Sequence, residues 1–122
     1  MISNGSIKVF LADDSQQIRD RVNALLGAAH MDVIGQAATP DTCIAGILDS
    51  HPDVVVLDVQ LPDISGFDVC AALEGRNGPP PDIILVSSRD VSDYGELVAR
   101  SCACGFVAKA ELSGDLVTAL LP

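Results

Sequence analysis

The run Val54-Val55-Val56-Leu57 closes on Asp58, and no other feature constrains the fold as tightly. Its residues, mostly β-branched, leave no polar face to turn toward water. Such a run reads as a short strand buried on both sides, the mark of a parallel sheet covered by helices. The following residues, Val59-Gln60-Leu61-Pro62-Asp63-Ile64-Ser65-Gly66, carry the proline and glycine of a loop. Asp58 therefore stands at the carboxyl end of a central strand, the edge along which open α/β sheets place their sites. Two more strands bring charge to that edge. Lys8-Val9-Phe10-Leu11-Ala12 ends in Asp13-Asp14, and Gly105-Phe106-Val107-Ala108 ends in Lys109.

Strand and helix alternate along the rest of the chain, without repeats or an internal linker. The first strand spans about residues 7–12. Ser15 caps a helix to about residue 29, with Ile18, Val22, Leu25, Leu26 and Ala29 at helical spacing. A short strand covers 33–37. Thr39 or Asp41 starts a second helix through Ile44, Ile47 and Leu48, and His51-Pro52 breaks it. A third helix over 65–74 presents Phe67, Cys70, Ala71 and Leu73 as its apolar side. Gly75 and Gly78-Pro79-Pro80-Pro81 make a stiff connection to a fourth strand at 82–87. Residues 92–102 form a fourth helix, 105–108 a fifth strand and 113–121 a last helix. The expected fold is α/β, a doubly wound five-stranded parallel sheet with five helices.

A chain of 122 residues fits one domain over residues 1–122, and a 48% hydrophobic content fills one core. The formal net charge of −10 argues against these residues gripping nucleic acid or an anionic membrane. No apolar stretch approaches spanning length, and the first six residues lack the character of a signal peptide, so a cytoplasmic location is expected. Cys43, Cys70, Cys102 and Cys104 match neither zinc-site spacing nor a Cys-x-x-Cys pair. Cys43 and Cys70 read as small buried hydrophobes on helices, and no metal or disulfide is assigned to any of the four.

Asp13, Asp14 and Asp58 converging at one edge would repel one another unless some protonate or a cation binds. Magnesium (or manganese) answers this, because it takes hard oxygen ligands and bridges carboxylates to phosphate. Lys109 is a point charge on a flexible stem, suited to a phosphoryl group. Ser87 ends the fourth strand, where its hydroxyl can face the same pocket; alone, such a serine usually caps a turn.

At this point the chain resembles the receiver domain of bacterial two-component response regulators. The matching pieces are Asp13-Asp14, Val56-Leu57-Asp58 with Pro62 and Gly66, Ser87, and Gly105-Phe106-Val107-Ala108-Lys109. Residues 101–112 are similar to receivers joined to helix-turn-helix output domains, and no output domain is recognised within residues 1–122. The resemblance implies a flavodoxin-like strand order 2-1-3-4-5. It implies that Asp58 takes a phosphoryl group from the phosphohistidine of a sensor histidine kinase or phosphotransfer protein. Asp14 and Asp58 would bind Mg²⁺ directly, Asp13 mostly through water, with the backbone carbonyl of Gln60 as a further ligand. Ser87 and Lys109 would hold phosphoryl oxygens. Ser87 and Phe106 would switch the face built from the fourth helix, fifth strand and fifth helix, with homodimerisation as one outcome. Phe106 lacks the hydroxyl of the tyrosine often found there. Gln60 and Arg89 would tune the lifetime of the phosphoryl group. Lys109-Ala110 falls where the family often has a cis peptide.

Three other readings fit less well. A haloacid-dehalogenase-like phosphatase needs a second aspartate two residues after the nucleophile, where this chain has Gln60. A flavodoxin would cradle phosphate where Asp13-Asp14 repels it. A pseudo-receiver, folded alike but independent of phosphorylation, would not need the full acidic set.

Overall fold

A computed structural model describes residues 7–61, 65–74, 81–88 and 94–121 of the protein. Its five strands are β1 (Lys8–Ala12), β2 (Asp32–Ala37), β3 (Val54–Asp58), β4 (Asp82–Ser87) and β5 (Gly105–Ala108). They form one sheet in the order β2-β1-β3-β4-β5, and every neighbouring pair is parallel. The helices are α1 (Gln16–Ala28), α2 (Pro40–Ser50), α3 (Gly66–Glu74), α4 (Glu96–Arg100) and α5 (Gly114–Leu120). The doubly wound α/β fold expected from the sequence is the fold observed.

Strand alternation sorts the core into two layers. Phe10, Val55, Leu57, Ile83 and Leu85 face Cys43 and Ile47 of α2 and Val69, Cys70 and Leu73 of α3. Val9, Leu11, Val54, Val56, Ile84, Val86 and Val107 face Val22 and Leu26 of α1 and Val117 of α5. Both faces of β3 are buried, which is why Val54–Leu57 carries no polar residue.

Three helices begin at a side-chain cap, Ser15 as read from the sequence, Thr39 as one of its two candidate starts, and Ser113 at the expected first residue of the last helix. Ser15, Thr39 and Ser113 accept bonds from the backbone N–H groups of Ile18, Thr42 and Leu116, respectively. Thr39 and Thr42 cap one another reciprocally. Helix α2 stops at His51, whose φ of 52° lies in the left-handed region.

The structure departs from expectation in four places. Helix α4 is short. Tyr94 and Gly95 form a turn, and Gly95 at φ 46° cannot continue a right-handed helix, so α4 starts at Glu96. It ends at Arg100 because Ser101 is extended; the expected start at residue 92 lies outside the described residues. The buried stripe of α3 is Gly66, Val69, Cys70 and Leu73, the i, i+3, i+4, i+7 set, which leaves Ala71 exposed. A single 3-10 turn, Lys109–Glu111, separates β5 from α5.

The fourth departure is covalent. Cys70 on α3 is joined to Cys102, with Cα atoms 5.9 Å apart, inside the usual range for a disulfide. Reading the cysteines as plain hydrophobes missed this bond. Its partners are 32 residues apart, and only the folded sheet brings them together. Cys104, two residues on, packs against the opposite layer and stays a free thiol. Cys43 is also free, and burial pushes its thiol up to about 12.

Candidate functional site

The same alternation builds the site. Val9 and Leu11 of β1 point toward α1 and α5, so the next residue in that rhythm, Asp13, follows them. Asp58 follows Val54 and Val56 on β3, and Lys109 follows Val107 on β5. Leu11 lies beside Val56, so Asp13 and Asp58 emerge level with one another, and Val86 lies between Asp58 and Val107, so Lys109 emerges two residues further along the same edge. Two carboxylates and one ammonium therefore meet at one sheet edge on one side.

Lys109 Nζ lies 3.1 Å from Asp58 Oδ2 and 2.8 Å from Asp13 Oδ2. The Gln60 N–H donates to Asp58 Oδ1 at 3.0 Å, so both oxygens of Asp58 are held. Asp13 Oδ1 accepts from the Ser15 N–H at 2.9 Å, and the Arg19 guanidinium donates to the Asp13 carbonyl. Asp13 Oδ2 is buried and, despite its charge contact with Lys109, lacks an aligned hydrogen bond. Asp58 is only 2% exposed and Asp13 4%, whereas Asp14 is open to solvent.

Gly66 closes the floor beneath Asp58. A Cβ there would stand 2.5 Å from the Asp58 carbonyl oxygen and 3.0 Å from Val59 Cα. The first turn of α3 thus packs directly on the backbone that carries the carboxylate, an approach open only to glycine.

Burial pushes the Asp58 carboxyl above its ordinary value. The Gln60 N–H pulls it down, the negative charge of Asp13 adds to the rise, and Lys109 opposes it; the rise prevails. Burial alone would lower Lys109, but Asp13 and Asp58 outweigh it and hold the ammonium above its ordinary value. The site thus carries more negative charge than its lysine neutralises.

Oxygens of Asp13, Asp14 and Asp58 all lie within 4.8 Å of one another. Together with the unaligned Asp13 Oδ2, this donor set of hard oxygens suits a divalent cation such as Mg²⁺.

Ser87 is fully buried at the end of β4 but shares its alternation with Ile83 and Leu85, so it opens on the other layer. There its Oγ lies 3.1 Å from the hydroxyl of Tyr94. The Tyr94 ring contacts Phe67 and Phe106, with both centroid distances 5.7 Å. Phe106 is half-buried in this group. Sequence reasoning passed over Tyr94. The available signal was its singularity: it is the only tyrosine, in a chain without tryptophan, seven residues after Ser87.

Gln60 is exposed, and its backbone bridges to Ser65. Arg89 and Pro62 lie outside the described residues. The Lys109–Ala110 peptide is trans, and there is no cis bond among the described residues.

A family profile described as the response regulator receiver domain matches residues 9–121. The DNA-binding transcriptional activator DevR/DosR of Mycobacterium tuberculosis (strain ATCC 25618 / H37Rv) is 39% identical over 106 residues, covering 84% of this chain and 48% of that protein. The chain thus spans about half the length of the curated relatives it matches. A LuxR-family two-component response regulator from Aurantimonas sp. SI85-9A1 superposes with a TM-score of 0.84 at 22% identity, over 95% of this chain and 83% of that one. The chemotaxis response regulator CheY4 of Vibrio cholerae superposes with a TM-score of 0.81 at 22% identity, over 95% and 99%. These two structures share the fold.

Proposed function

Because this chain belongs to the response regulator receiver domain family, we propose that it is a phosphorylation-driven signalling receiver with Asp58 as phosphoacceptor. The supporting observation is the buried Asp58 carboxylate, held at one oxygen by the Gln60 N–H and at the other by Lys109, beside Asp13. The donor is the phosphohistidine of a sensor histidine kinase or phosphotransfer protein. An Asp58 oxygen attacks phosphorus in line with the P–N bond. That bond breaks, its electron pair stays on the imidazole nitrogen, and the nitrogen takes a proton. Negative charge spreads over the equatorial phosphoryl oxygens, so positioning and neutralisation supply most of the catalysis. Lys109 shifts from the carboxylates to a phosphoryl oxygen, and the Ser87 hydroxyl donates to another. Asp13, Asp14, Asp58 and the backbone carbonyl of Gln60 would hold Mg²⁺ or Mn²⁺, which supplies the positive charge this acidic site lacks.

Drawing Ser87 to the phosphoryl group is a local charge event that biases a two-state element, here the face of α4, β5 and α5 around Phe106. That face addresses a transcriptional output, by analogy with DevR/DosR, either directly or through homodimerisation. Contact with DNA falls to other residues, since this chain carries a net charge of −10. The place of action is the cytoplasm; no helix among the described residues is long and apolar enough to cross a membrane.

Mass spectrometry after incubation with acetyl phosphate tests the assignment. One phosphoryl group gained with Mg²⁺, and lost in Asp58→Asn or in chelator, is the expected result. Absence of that adduct, together with no Mg²⁺-dependent binding of beryllofluoride, overturns it and leaves a phosphorylation-independent interaction module.

A further inference from the structure

Phe106 brings no hydroxyl to the switch, yet a phenolic hydroxyl is present at Ser87. It comes from Tyr94, in the turn that precedes α4. We propose that Tyr94 is a positioning residue that latches Ser87 in the resting state and couples its release to the Phe67–Tyr94–Phe106 ring group. The proposal rests on the phosphoreceiver reading above.

Asp13, Asp58 and Lys109 extend the alternation that faces α1 and α5, whereas Ser87 extends the one that faces α2 and α3. Its Oγ is engaged with Tyr94 Oη on that second side. Reaching a phosphoryl oxygen on Asp58 takes Ser87 Oγ to another staggered rotamer, away from the first side chain it holds. The Tyr94 bond opens in that step, and the resting state gains whatever the bond is worth. Tyr94 also lines an open groove with Leu61, Phe67 and Leu97, which leaves its half-buried ring room to move once released. Because that ring contacts Phe106, the release reaches β5 without a hydroxyl on Phe106.

Tyr94 is also its own reporter, being the only tyrosine in a chain without tryptophan. The test pairs two measurements on the full chain. The first follows the NMR signal of ring-labelled Tyr94 while beryllofluoride and Mg²⁺ are added. The second compares beryllofluoride affinity by calorimetry for wild type, Tyr94→Phe, Ser87→Ala and the double variant. Phenylalanine keeps both ring contacts and removes only the hydroxyl.

The latch requires the Tyr94 signal to shift at saturation. It also requires Tyr94→Phe to bind about fivefold more tightly, the scale of one net hydrogen bond, with the gain absent in the Ser87→Ala background. Unchanged or weaker binding by Tyr94→Phe, or a stationary Tyr94 signal while wild type binds normally, overturns the latch and leaves the receiver reading intact. No binding by any variant, wild type included, overturns both.

Discussion

At the residue scale the site is an imbalance of charge held in a dry edge. Asp58 is buried against Asp13 and shares a single lysine with it. A carboxyl whose folded pKa lies above its unfolded value favours the fold most at acid pH. That contribution falls as pH rises from the unfolded carboxylate value of about 4 through the folded value. Asp58→Asn removes the effect and leaves Lys109 paired with Asp13. In metal-free buffer the variant should match wild type near pH 4 and melt at a higher temperature than wild type at pH 7, as thermal unfolding at the two pH values would read. Saturating Mg²⁺ should narrow the difference by stabilising wild type alone. A variant less stable than wild type at pH 7 would show that Asp58 is a net stabilising charge. Gly66 sets a different limit. Gly66→Ala drives a methyl into the Asp58 carbonyl and Val59 backbone, atoms that cannot yield cheaply. A loss of about 2 kcal/mol in urea unfolding is expected, within the range for overpacking, together with slower phosphorylation by acetyl phosphate.

At the element scale, strand ends were legible and helix ends only where a side chain announced them. Asp13, Asp58 and Lys109 could be placed from sequence because two-residue alternation carries a side chain past the end of a strand onto a known face. Ser15 marked a helix start through its hydroxyl, and the caps at Thr39 and Ser113 fall where starts were expected. Helix α4 was overdrawn because its true start depends on Gly95 taking φ 46°, a choice glycine does not reveal in advance. Tyr94 went unnoticed for the same reason, since its partner Ser87 is set by how that turn folds back on β4. His51 shows the opposite case, a non-glycine residue held at φ 52° to end α2. His51→Gly relieves a left-handed cost of about 1–2 kcal/mol but gives up roughly 0.5–1 kcal/mol of backbone entropy. A net gain of about 0.5–1 kcal/mol should appear as a higher urea midpoint with an unchanged slope. A lower midpoint would mean that the His51 side chain stabilises the cap.

At the scale of the whole molecule, the parallel sheet gathers what the chain scatters. Cys70 and Cys102 illustrate why pairing could not be read from spacing: α3 and the entry to β5 meet only once β4 lies between β3 and β5. Closing a loop of this length by a disulfide stabilises by roughly 3–4 kcal/mol in the chain-entropy account. Urea unfolding with and without a reductant should differ by that amount in wild type and not at all in Cys102→Ser. Equal curves for wild type would show that the bond contributes nothing under those conditions. Mechanically, the same bond makes part of the protein unreachable. A force applied to the two ends passes from α3 straight to the segment before β5, and the residues between Cys70 and Cys102, β4 included, bear no load. Stretched to full length, the oxidised chain should come up short of the reduced one by ~100 Å, at 3.3–3.6 Å per hidden residue less the 5.9 Å that the bridged Cα atoms still span.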